Sequence, residues 1–131
     1  MAYRWVEHTA ELELEIDARD REGVFADALR AMAELLADEG YGDYVSREVS
    51  VEGGEPGALL VGWLDELVYL AETEDLIPDE LEGIELSDGR LTASVRCHVG
   101  RPRHLVKAAT YHRLVFKQSD GRLRATVVLD V

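Results

Sequence analysis

The stretch Val6–Asp17, VEHTAELELEID, decides how the chain is read. From Glu11 onward it alternates acid and apolar residues: Glu11, Leu12, Glu13, Leu14, Glu15, Ile16, Asp17. On a strand, neighbouring side chains point to opposite faces, so Leu12, Leu14 and Ile16 are expected in a core and the acids in water. The preceding His8-Thr9-Ala10 fits neither a strand pattern nor a common turn. Glu11 is therefore either the first solvated residue of a strand or a ligand placed at a bend. Just upstream, YRWVEH (Tyr3–His8) reads as a short strand of its own.

Downstream of this pair the period changes. Val24, Phe25, Ala28, Leu29, Met32, Leu35 and Leu36 recur at three-and-four spacing and predict a helix over about 21–38. Asp20 is placed to cap its start, Gly40 to end it, and Asp27, Arg30 and Glu34 to form its wet face. VSREVSVEG (Val45–Gly53) reads as a strand. A second helix is expected from Glu55 or Pro56 to Glu72, with Leu60, Trp63, Leu64, Leu67, Leu70 and Ala71 as its stripe. The last third carries two hairpin signals, Asp88-Gly89 and Asp120-Gly121, each between alternating runs. GRPRH (Gly100–His104) is a loop with a basic tip. The order strand, strand, helix, strand, helix and four strands predicts an α+β fold, with two amphipathic helices packed on one face of a mostly antiparallel sheet.

With 131 residues, 47% apolar and 31% charged, the chain is expected to form one globular domain, 1–131. No stretch reaches the ~20 apolar residues that span a bilayer, and MAYRWVEH lacks the features of a signal peptide. The lone Cys97 excludes an internal disulfide and a multi-cysteine metal cluster. A cytoplasmic protein without membrane contact is the expectation. The net charge of −13 repels free nucleic acid, so direct nucleic-acid binding is not expected. Residues 1–88 hold 25 acids against 5 bases, and residues 89–131 hold 2 acids against 9 bases. Such asymmetry marks either a partner surface or interleaved strands whose charges neighbour one another.

Signatures of common enzymes are absent: there is no P-loop, GxSxG, HExxH or GxGxxG. Cys97 and His98 are adjacent on a strand pattern and so point apart. The run ATVVLDV ends on Asp130-Val131, which brings carboxylate oxygens of the kind that bind hard cations. On pattern alone, a terminal aspartate is more often simply solvated.

EHTAE near the start, WLDELVYLAET in the second helix, KAATYHRLVF and the final VVLDV together resemble the archease family, in order and spacing along the whole chain. The resemblance implies a small cytosolic α+β protein with a strand-helix-strand-strand core. It implies a protein that is not an enzyme but activates the RNA-splicing ligase of the RtcB type in tRNA splicing and RNA repair. That ligase uses GTP and a divalent metal to guanylylate its own histidine, and the activator speeds this step and restores turnover. The alternative within the family is a chaperone or modulator of nucleic-acid-modifying enzymes such as methyltransferases.

The family's cation, seen as calcium, is held by the acid of an HTAD motif and by the last two residues. This maps to Glu11, Asp130 and Val131, with magnesium or manganese as other occupants. The chain departs from the family in having Glu11 where aspartate is usual, and one extra methylene moves the carboxylate by ~1.5 Å. Calcium's flexible shell absorbs this better than magnesium's octahedron. Asp65 stands where an amide is common. Trp63 and Leu67 read as core. His8, Glu66, Lys107 and His112 are candidate partner contacts, with Tyr111 in the same motif. A metal-dependent hydrolase is a third reading; His112 could act as base, but no nucleophile or substrate loop accompanies it.

Overall fold

The computed structural model describes residues 3–38 and 42–131. The chain runs β1 (Tyr3–His8), β2 (Glu11–Ala18), α1 (Arg21–Leu36), β3 (Tyr44–Glu52), α2 (Pro56–Glu74), β4 (Leu76–Ser87), β5 (Arg90–Val99), β6 (Ala108–Ser119) and β7 (Arg122–Asp130). The expected α+β class and element order hold. The strands divide between two antiparallel sheets, ordered β1-β2-β7-β6 and β3-β5-β4. Each helix touches both sheets, α1 through β2 and β4, and α2 through β6, β3 and β4. This double contact explains why α2 is apolar well beyond one stripe: Leu59, Val61 and Val68 are buried along with the expected Leu60, Trp63, Leu64 and Leu67.

Local chemistry sets the element ends. The Asp20 carboxylate accepts the Gly23 N–H at 2.8 Å and caps α1. The helix ends at Leu36, two residues before the expected point, and Gly40 lies outside the described residues. No base lies in the last turn of α1. Arg103, far away in sequence, supplies one: its N–H donates to the Leu36 carbonyl at 3.2 Å and its guanidinium to the Glu34 carbonyl at 3.4 Å. The basic loop at 100–104 thus caps a helix. α2 runs to Glu74, where Asp75 turns left-handed (φ 54°) and its N–H donates to the Leu70 carbonyl. Both Asp-Gly turns form; at Asp120-Gly121 both residues have positive φ, 53° and 74°, as a tight hairpin turn requires.

Leu14, Ile16, Phe25, Leu29, Met32, Trp63, Leu64, Leu67 and Leu129 are at most 3% exposed and join residues of both sheets in one apolar cluster. The Trp63 indole N–H donates to the Phe25 carbonyl at 3.0 Å, locking α2 to α1. Asp27 corrects the expected wet face of α1. It is only 8% exposed and is paired with Arg30 at 3.0 Å, because helix contact with two sheets narrows the solvated strip. Beside it, the Tyr3 hydroxyl donates to Glu34; burial and that bond push the phenol up to about 12.

Candidate functional site

Strand register builds the site. β1 and β2 join through Thr9-Ala10, with Ala10 at φ 59°, so His8 ends one strand and lies opposite Glu11 on the next. On its other side Glu11 pairs with Asp130 of β7, and Asp130 in turn pairs with Ala108 of β6. Directly paired residues of an antiparallel ladder carry their side chains on the same face, with Cβ atoms ~4.5–5.5 Å apart. His8, Glu11 and Asp130 therefore form a row on the outer face of the four-stranded sheet. The Val131 N–H donates to the Ala10 carbonyl at 3.3 Å, which fastens the last residue to the turn beside Glu11. Lys107 is joined to the same point: its N–H donates to the Asp130 carbonyl at 2.8 Å. Glu11 is thus both the first residue of a strand and a neighbour of the final pair.

The two later motifs arrive through α2. Asp65 accepts the Ala109 N–H at 2.7 Å and Glu72 accepts the Val106 N–H at 3.4 Å. These carboxylates sit on one helix two turns apart; Asp65 receives its donor from the open edge of β6, and Glu72 from the segment just before that strand. Burial raises the Asp65 carboxyl above its ordinary value, with the Ala109 bond pulling the other way. Glu66 on that helix, Lys107 and His112 are all exposed to solvent.

The KAATYHRL motif holds a feature its alternation did not show. Thr110 pairs with Val128 and Val115 with Thr126, so four residues, Tyr111 to Leu114, stand against Val127 alone. This excursion from the edge strand displays Tyr111, 65% exposed, and His112, whose N–H donates to the Thr110 hydroxyl at 3.3 Å. Arg113, at φ 55°, reaches back across β7: its guanidinium lies 2.9 Å from Glu11 Oε2 and 3.5 Å from Glu13 Oε1. His8 Nε2 lies 3.7 Å from the same Glu13 oxygen. Sequence reading did not single out Arg113, because its partner is 102 residues away.

The donor set is all oxygen and acidic, which suits a hard cation. Glu11 and Asp130 lie side by side, and the Glu11 carboxylate already attracts a positive group, so the residues fit a divalent ion. Among the described residues, no three His, Cys, Asp or Glu side chains form a metal cluster; the expected set has only two side-chain donors, and its third comes from the Val131 main chain.

The charge asymmetry between the early and late parts of the chain resolves into pairs. Arg90–Glu52, Arg96–Glu80, Arg113–Glu11 and Arg122–Asp17 each join a late base to an early acid. A second polar cluster, not anticipated, surrounds His98. Its Nδ1 lies 2.8 Å from Asp79 and its Nε2 3.0 Å from Asp38, which also accepts the Arg101 N–H at 3.1 Å. Burial works against the charged ring, but the bonds to Asp38 and Asp79 outweigh it and raise the pKa. Neighbouring Cys97 lies on the other face, as expected, and is fully buried, which pushes its thiol up to about 11. No described helix is long and apolar enough to cross a membrane.

Two helices that each touch a four-stranded and a three-stranded antiparallel sheet, with an acidic pair where the first hairpin meets the last strand, define a small α+β protein of the archease kind. The chain belongs to the archease family: the model described as "Archease protein family (MTH1598/TM1083)" matches residues 3–131. It is 32% identical to the protein archease of Archaeoglobus fulgidus, over 100% of each chain. It is 30% identical to that of Methanosarcina barkeri, over 98% of this chain and 95% of that one. The solution structure of Methanobacterium thermoautotrophicum protein 1598 superposes with a TM-score of 0.71 at 26% identity, covering 99% of both chains. The crystal structure of a Thermotoga maritima archease, described as a possible chaperone, superposes with a TM-score of 0.72 at 21% identity and shows a shared fold.

Proposed function

We propose that this archease-family chain is a non-catalytic, cytoplasmic activator of an RtcB-type RNA ligase. It promotes that enzyme's metal- and GTP-dependent guanylylation and its turnover in tRNA splicing and RNA repair. Family membership supports the class, and one observation supports the site: the ladder that sets Glu11 directly opposite Asp130, with Val131 fastened beside them. Glu11, Asp130 and the Val131 main chain would hold a divalent cation, calcium above magnesium or manganese because the longer Glu11 arm needs a tolerant shell. The cation would supply positive charge near phosphoryl chemistry in the partner, where positioning and charge neutralisation provide most of the rate. His8, Lys107 and His112 flank it as partner contacts, with Glu66 on α2 a more distant one.

Guanylylation of the ligase in a single turnover, and ligation over many turnovers, test this. Glu11→Ala and Asp130→Ala should each cut activation at least tenfold while their thermal unfolding stays close to that of the parent protein. Full activation by both variants refutes the site. A chaperone role, suggested by the description of the Thermotoga relative, predicts instead that the chain suppresses aggregation of unrelated proteins with no ligase present.

A further inference from the structure

The Tyr111–Arg113 excursion combines features that neither strand pairing nor core packing calls for. It adds residues to an edge strand and places a non-glycine residue at positive φ. It then sends the side chain of that residue over a neighbouring strand to two carboxylates on the strand beyond. Val128 lies beneath this crossing, between Glu13 and Thr110 in the ladder, and is fully buried although it lies outside the main apolar cluster. The arm is therefore laid down on the sheet. Its guanidinium pairs with Glu11, the same carboxylate that the cation reading requires.

We propose that Arg113 is the built-in counter-ion of the Glu11–Asp130 pair, and that a divalent cation entering this pair displaces it and frees the excursion. The inference rests on the cation site proposed above. One carboxylate cannot give its full lone-pair set to both a guanidinium and a divalent ion, and two positive groups held a few ångströms apart repel. Loading the site weakens the bond from Arg113 to Glu11. With that bond gone, Tyr111 and His112, both already exposed, keep only the longer Arg113–Glu13 contact at 3.5 Å and the 3.3 Å bond from the His112 N–H to Thr110. Cation occupancy thereby changes the surface that the KAATYHRL motif offers a partner. Arg113 becomes the residue that sets both cation affinity and display of the motif.

Calorimetric titration with Ca²⁺ or Mn²⁺ at fixed ionic strength tests the affinity, and amide hydrogen exchange of residues 111–114 tests the release. Arg113→Gln removes the charge from a side chain 44% exposed, and should bind the cation about tenfold more tightly than the parent. Arg113→Lys keeps the charge and should stay near the parent. In the parent, loading should speed exchange over 111–114; in Arg113→Gln, exchange should be fast with or without cation. Binding by the parent that Arg113→Gln leaves equal or weaker, or unchanged exchange on loading, overturns this proposal alone. Absence of binding in both proteins, or binding that survives the Glu11→Ala/Asp130→Ala double substitution, removes the cation site and this proposal with it.

Discussion

Asp65 offers the sharpest test of how the helix motif supports the strand that carries the excursion. β6 is an edge strand, and the Ala109 N–H points off its open side. Ala109 is only 7% exposed, so without Asp65 that donor would be desolvated and unpaired. The bond is short, 2.7 Å, and its acceptor is a carboxyl oxygen. Asp65→Ala deletes the acceptor and strands the N–H, at a cost of about 2 kcal/mol, or roughly 6–10 °C in Tm for a domain of this size. Asp65→Asn keeps an oxygen in the same place and removes a carboxylate that burial disfavours. It should match the parent or exceed it by up to ~1 kcal/mol at pH 7.

The pH dependence has a definite sign. The folded carboxyl titrates above its unfolded value, so the penalty for its charge is fully present above the folded pKa. It disappears as pH falls through that value toward the unfolded one. The advantage of Asp65→Asn over the parent should therefore shrink on acidification. Urea or thermal unfolding between pH 4 and 7 measures both effects. If Asp65→Asn is as damaging as Asp65→Ala, the oxygen is not acting as an acceptor. If Asp65→Ala melts within a degree of the parent, the reasoning about the edge donor fails.

Two further outcomes follow from packing and charge. Gly62 lies inside α2, where an added Cβ would meet Val51 Cγ1 at 2.5 Å; Gly62→Ala should cost about 1 kcal/mol net, overpacking exceeding the gain in helix propensity. Adding Val51→Ala should restore stability in urea unfolding, and a stabilising single variant would contradict the close approach. His98→Ala should cost about 2 kcal/mol at pH 5.5, where the ring is charged between Asp38 and Asp79. Because the folded pKa is raised, that stabilisation is complete below the unfolded value and fades as pH rises through the folded one. A loss that grows toward pH 9 would refute the ion-paired ring.

Much of this molecule was legible in the order of its residues. The alternation at Glu11–Asp17, the stripes on both helices, the Asp20 cap and the two Asp-Gly turns all depend on contacts within a few residues. For the candidate site, four dispersed motifs, taken as a resemblance, pointed to Glu11, Asp130 and Val131, and the strand register sets these three side by side. Asp27 was misplaced because a helical period shows where apolar residues lie, not how many surfaces cover them. The Asp38–His98–Asp79 clasp was missed because its three members come from separate elements. The excursion at Tyr111–Leu114 was missed because only the partner strand reveals surplus residues.

By itself the sequence determined what each segment becomes: period, capping and turn chemistry are local, and their energies are settled within a turn or a strand. Tertiary structure alone decided which segments meet. It divided the seven strands of the described residues between two sheets, placed the first hairpin against the last strand, and laid Arg113 on Glu11. The reason is that hydrogen bonds and ion pairs across a ladder form between groups that share an ångström scale in space and none in sequence, so their partners are fixed only when the whole core has closed.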